Sequence, residues 1–354
     1  MFPTRQGSLR LFQLAGINVY LHWSWFFIAV IEVSNRSRQY SSFAWNAFEY
    51  VALFGIVLTH EFGHALACRQ VGGKADQIVL WPLGGVAYVA PPQRPGAVLW
   101  SIAAGPLVNV VLAPILTVFL FAANNAGLSE TIPNLYQFIR TVCFINYLLL
   151  IFNLLPIYPL DGGQILRAVL WFIVGRARSL MITVVIGFVG VAGLIALALF
   201  MRNIWMGIVA GFILLNCWGG LMQARLLARI AKLPRRAGFA CPSCKQPPVL
   251  GPLWRCARCF QPFDTFETLA VCPNCGAVLS PDANACPECG ADDEMGWGEE
   301  AYGPNPDLPD EEFDYQDFKK REFGPKSPVP RGISIFWWIV AIVVLIAFLL
   351  LWLR

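Results

Sequence analysis

The chain has 354 residues, 57% of them hydrophobic and only 14% charged, and its mean hydropathy is positive. Soluble domains run nearer half apolar and a quarter charged, so this composition excludes an ordinary soluble fold and indicates a polytopic membrane protein. The net charge of +4 does not signal a nucleic-acid partner, because the basic residues are spread along the loops between apolar stretches.

Seven stretches reach the roughly 20 mostly apolar residues that cross a bilayer. They lie at about 17–34, 43–67, 97–123, 137–157, 179–201, 203–222 and 333–353. The opening MFPTRQGSLRLFQLAG has two arginines but no apolar core followed by a small-residue cleavage site, so it does not read as a signal peptide and the first span is expected to stay. With the N-terminus cytoplasmic, the inner segments hold thirteen Lys and Arg and the outer segments four, a positive-inside bias that sets the topology. Composition then divides the chain into a membrane domain (1–236), a cysteine-rich module (237–290), a polar tether (291–332) and a C-terminal span (333–354).

The second span carries THEFGH at 59–64. Ionisable groups inside a bilayer are costly and persist mainly where function holds them. On a helix His60 and His64 lie one turn apart on one face, so two imidazoles can meet one metal ion. Glu61 is turned about 100° away, within reach of a metal-bound water without being a ligand. A catalytic zinc needs a third protein ligand and an open fourth position. His22 is the one remaining histidine, and Asp161 in FNLLPIYPLDGG supplies a carboxylate at the inner end of the fourth span. Pro156 and Pro159 are expected to break the helix before Asp161, and Gly162 and Gly163 to let the chain turn after it.

These motifs resemble the site-2 protease family of intramembrane zinc metalloproteases. The resemblance rests on HEFGH at 60–64, GPLVN at 105–109, NLLPIYPLDGG at 153–163, PLGGVA at 82–87 and the LHWSW opening of the first span, over roughly residues 10–225. It implies an all-α polytopic membrane body of six spans with a short membrane-dipping hairpin. It also implies one catalytic Zn2+ on His60, His64 and Asp161, Glu61 as general base, and Asn109 and Asn153 lining the site. The hairpin residues Gly84, Gly85 and Val86 would bind an unwound substrate segment by strand addition. Transmembrane proteins are the implied substrates. His22 reads as a satisfied or gating residue, and Cys68, Cys143 and Cys217 as buried packing residues. About 28 residues separate spans two and three, which leaves no room for the peptide-binding domain some family members insert there.

Eight of the eleven cysteines fall in four CxxC pairs. The expected arrangement is a double zinc ribbon, β-rich, with two structural Zn2+. Cys241, Cys244, Cys256 and Cys259 form the first ribbon, and Cys272, Cys275, Cys286 and Cys289 the second. A module that follows the basic 225–236 stretch should face the reducing cytoplasm, which argues against disulfides. It has no basic stripe, so a cytoplasmic protein partner is expected rather than nucleic acid. The tether holds 12 of the 22 acidic residues with many Pro and Gly and is expected to be disordered. The last stretch, 333–353, carries no charge and is flanked by Arg331 and Arg354, so it is expected to span. The rival reading of the whole chain is a membrane scaffold that has lost activity and recruits partners through its ribbons.

Overall fold

The computed structural model describes residues 7–26, 40–81, 84–236, 241, 246–256, 258–268 and 271–278. The tether, the C-terminal span, residues 27–34 of the first expected span and three expected metal ligands (Cys244, Cys286 and Cys289) lie outside the described residues. The chain forms two units, residues 1–201 with 205–229 and residues 202–204 with 230–354.

In the first unit a hairpin of β1 (Ser8–Leu14) and β2 (Ile17–His22) precedes the long helix α1 (Phe43–Gln70). A second hairpin follows, β3 (Lys74–Trp81) and β4 (Gly84–Ala90), and then helix α2 (Pro95–Asn125). A single turn α3 (Leu128–Thr131) leads to α4 (Pro133–Leu154), α5 (Asp161–Val174), α6 (Arg176–Phe200) and α7 (Ile204–Ile230). Five of these helices, α1, α2, α4, α6 and α7, are long and apolar enough to cross a membrane. They are apolar around most of their circumference, and large side chains such as Val118, Phe119, Phe144, Ile151, Val189 and Leu199 face outward. In lipid that outer surface needs no further cover.

The helical architecture agrees with expectation, and a four-stranded sheet of order β1-β2-β3-β4 is added to it. Part of the first expected span is strand rather than helix. In INVYLH, Ile17, Val19 and Leu21 are buried while Asn18, Tyr20 and His22 are not, the period-two alternation of a half-buried strand. β2 pairs in parallel with β3, from Asn18 opposite Gln77 to Leu21 opposite Leu80. The sheet's buried face, with Ile17, Val19, Ile78 and Leu80, packs on Val57, Ala65 and Cys68 of α1. Arg69, in the last turn of α1, donates to the carbonyls of Ala15 and Gly16 at the β1–β2 turn, locking hairpin to helix.

The fourth expected span also ends earlier than its hydropathy suggests. α4 stops at Leu154, residues 155–160 form a turn, and Asp161 opens the separate helix α5. Gly162 and Gly163 lie inside α5 and serve close packing rather than a turn. A Cβ on Gly162 would stand 2.3 Å from the Leu154 carbonyl oxygen, and one on Gly163 2.5 Å from the Tyr158 nitrogen.

The second unit is built from small hairpins. Arg235 bridges Val249, β5 (Trp254–Arg255) pairs with β6 (Pro262–Phe263), and Val271 bridges Val278. Its core holds Trp254, Phe263 and Phe266 together with Cys256 and Cys272. Asp264 is fully buried and fully engaged: it meets Arg236 at 3.2 Å and accepts the N–H groups of Gly251 and Phe266. A buried carboxylate is tolerable only with such a set of partners.

Candidate active site

Helix α1 presents His60, Glu61 and His64, all buried, to α2 and β4. The third group comes from Asp161 at the start of α5. Asp161 Oδ2 lies 3.0 Å from His60 Nε2 and 3.5 Å from His64 Nε2, and the two Nε2 atoms are 3.1 Å apart. Zinc bound to nitrogen and oxygen at about 2.0–2.2 Å with tetrahedral angles needs donor-to-donor edges of about 3.3–3.5 Å. The three donors stand close to that separation before any ion is considered, so this set could hold one zinc and leave a fourth position open.

The far side of each imidazole fixes its tautomer. His64 Nδ1 lies 2.9 Å from the Ser101 carbonyl oxygen, which can only accept, so Nδ1 carries the proton and Nε2 keeps its lone pair. His60 is set through a longer chain. The Asn146 side-chain nitrogen donates to the Asn109 carbonyl at 3.1 Å, which orients the Asn146 amide and turns its oxygen to Asn109 Nδ2 at 2.8 Å. Asn109 must then direct Oδ1 at His60 Nδ1, 2.7 Å away. A backbone carbonyl thus decides, through two amides, which nitrogen of His60 faces His64 and Asp161.

Both ends of the Asn109 side chain are therefore engaged, and it lies beside His60, whose ring it orients. Asn153, half-buried near the end of α4, makes no side-chain hydrogen bond among the described residues. Asn146 is the residue that sequence reasoning missed. Its one signal was an amide in the middle of an apolar span, where buried polar groups require partners. Asn146→Ala is expected to weaken zinc affinity about 10- to 100-fold, the usual cost of losing a group that orients a ligand. Competition with a chromophoric chelator in detergent measures it.

Glu61 is not among the three converging donors. Its Oε2 accepts the Ala87 N–H at 2.8 Å, so the edge of β4 away from β3 is turned to the glutamate. Three glycines let backbone reach the site. A Cβ on Gly63 would meet the Ala104 carbonyl at 2.6 Å, one on Gly85 would meet Glu61 at 2.3–2.5 Å, and one on Gly105 would meet the His64 ring at 2.2 Å. The turn that delivers Asp161 is braced likewise. Gly190 leaves room for Ile157, Gly220 for Tyr158, and Cys217 Sγ donates to the Tyr158 carbonyl at 2.9 Å. Cys217 is thus a brace as well as a packing residue, while Cys68 and Cys143 are buried. His22 Nδ1 bonds the Ser24 hydroxyl and stands outside the metal-binding group.

In the second unit the structure differs from the expected pairing of cysteines. Cys256, Cys259, Cys272 and Cys275 come together, their sulfurs within 4.8 Å of one another, and Cys241 is not among them. The expected first ribbon joined Cys256 and Cys259 to Cys241 and Cys244, and the second joined Cys272 and Cys275 to Cys286 and Cys289. Intervals of 11, 12 and 10 residues between successive pairs are too alike for spacing to choose a partner. The Cys259 thiol is lowered to about 6, chiefly by the Gln261 backbone N–H and next by the Asn274 side chain.

Residues 48–136 and 128–197 match the model of peptidase family M50, and residues 269–292 match a zinc-ribbon domain. The chain is 34% identical to a zinc metalloprotease of Methanocaldococcus jannaschii over 182 residues, 51% of this chain and 50% of that one. It is 35% identical to stage IV sporulation protein FB of Bacillus subtilis over 121 residues, 33% of this chain and 38% of that one. The chain spans about half the length, or less, of these relatives. Among solved structures, a site-2 protease from Methanocaldococcus jannaschii is 28% identical, covers 60% of this chain and 95% of its own, and has a TM-score of 0.44. The match to peptidase family M50 thus takes in residues 48–197, less than half of the chain, and the match to a zinc-ribbon domain lies further along.

Proposed function

We propose that this protein is an intramembrane zinc metalloprotease that hydrolyses peptide bonds in or near the transmembrane segments of other membrane proteins. One observation carries the reading: three donors from two separate elements converge at tetrahedral spacing, with a buried carboxylate beside them that is not a donor. The Methanocaldococcus jannaschii relative, a zinc metalloprotease, supports it.

His60, His64 and Asp161 would hold the ion, and zinc bound there supplies a Lewis acid that polarises the scissile carbonyl and makes water nucleophilic near neutral pH. Glu61, with Oε2 held by Ala87, takes the proton of the attacking water at Oε1 and passes it to the leaving amine. Asn153 is the amide left to hold the carbonyl oxygen. The substrate segment, unwound to an extended strand, adds to the outer edge of β4 at Gly84, Gly85 and Val86, which sets its backbone alongside Glu61. The charge bias puts the N-terminus and the ribbon on the cytoplasmic side, where the ribbon would meet a protein partner. Released fragments would serve regulated proteolysis.

The test is metal removal and return. The purified chain, reconstituted with a panel of single-span substrates, should cleave at least one of them. It should lose cleavage on extraction with 1,10-phenanthroline and regain it with one equivalent of zinc. A chain that holds zinc in the membrane body and cleaves nothing across the panel favours the silent scaffold instead.

A further inference from the structure

The metal binding of the cysteine module goes beyond the proteolytic reading of the membrane body. Its described knuckles share one geometry. In the second pair the Cys256 N–H donates to the Gln261 carbonyl and the Phe260 N–H to the Cys256 carbonyl, with Phe260 at φ +59°. In the third, Cys272 donates to Ala277 and Gly276 to Cys272, with Gly276 at φ +67°. The positions match one for one, four and five residues past each first cysteine. Two equivalent turns therefore face each other across one point. Cys256 Sγ lies 3.5 Å from Cys275 Sγ, and Cys259 Sγ lies 3.5 Å from Cys272 Sγ. Zinc–thiolate bonds of about 2.3 Å at tetrahedral angles put sulfurs about 3.8 Å apart. A disulfide would need about 2.05 Å.

The hydrophobic core agrees with this arrangement, because Trp254, Phe263 and Phe266 pack on Cys256 and Cys272 together. The first knuckle folds alike, with the Cys241 N–H on the Gln246 carbonyl, yet Cys241 is outside the sulfur group. We propose that Cys256, Cys259, Cys272 and Cys275 bind one structural zinc ion, so that the ribbon is built from the two middle pairs and not from successive halves of the motif. The zinc-ribbon match at 269–292 covers the third and fourth pairs, and the proposal turns the third pair to the second instead.

Two experiments on the full chain decide it. In the first, Cys241, Cys244, Cys286 and Cys289 are all replaced by serine, and metal is counted by native mass spectrometry and by the thiolate-to-cobalt charge-transfer band after Co2+ exchange. One metal with a tetrathiolate spectrum is expected in addition to the membrane-body ion. Successive halves would leave two cysteines per site and no such band. In the second, Cys272→Ser with Cys275→Ser is alkylated with N-ethylmaleimide and mapped by peptide mass spectrometry. Cys256 and Cys259 are expected to lose protection, with Cys286 and Cys289 as in wild type. Absence of the cobalt band in the first variant, or release of Cys286 and Cys289 without Cys256 and Cys259 in the second, overturns the proposal.

Discussion

Glu61→Gln should lower cleavage about 10²- to 10⁴-fold, the span over which a positioned general base contributes, and leave bound zinc at the wild-type level. The two halves of that result have separate causes. The three donors that converge are His60 Nε2, His64 Nε2 and Asp161 Oδ2, and Glu61 is not among them. The amide of glutamine has the shape of the carboxylate and still offers an oxygen to the Ala87 N–H, so β4 keeps its seat on α1. What disappears is the capacity to take a proton. The readouts are initial cleavage rates in proteoliposomes and zinc per chain by elemental analysis. Loss of zinc would make Glu61 a ligand, and retention of more than a tenth of the rate would place the base elsewhere.

Gly105→Ala should be as damaging for a different reason. The added methyl would stand 2.2 Å from His64 Nε2 and 2.3 Å from Cε1. The ring cannot swing aside freely, because its Nδ1 is tied to Ser101, one turn before Gly105 on the same helix. Either that bond breaks or α2 moves away from α1, to which it lies so close that a Cβ on Gly63 would stand 2.6 Å from the Ala104 carbonyl oxygen. Both responses pull His64 from the donor set, so zinc per membrane body and cleavage should fall together to background. Gly55→Ala is the control: a Cβ there meets nothing within 4 Å, and zinc and rate should match wild type. A Gly105→Ala chain with full zinc would show that His64 is not a ligand.

The donor set was legible in the sequence because each part has a local signature. Two histidines four apart fix a helix face, and two prolines just before an intramembrane aspartate fix an interruption. The sheet was harder to see. Hydropathy averaged over a span merges INVYLH with the apolar residues after it, and only the alternation of Ile17, Val19 and Leu21 separates strand from helix. Asn146 was not legible as part of the site, since its importance lies in a bond to the backbone of Asn109, 37 positions away. Which CxxC pairs share a metal was beyond the sequence too, because near-equal intervals encode every pairing alike.

His64 and Asp161 are separated by 97 positions, and α2, α4 and the turn before α5 all lie between them. An ion held by both closes that length of chain into a ring. Such an ion would also fasten the helices, since tying distant positions together lowers the entropy of the unfolded chain by an amount that grows with the logarithm of the loop length. Loss of the ion would therefore register as a loosened membrane body as well as a silent one, and scarcity of zinc would govern how long the protein lasts.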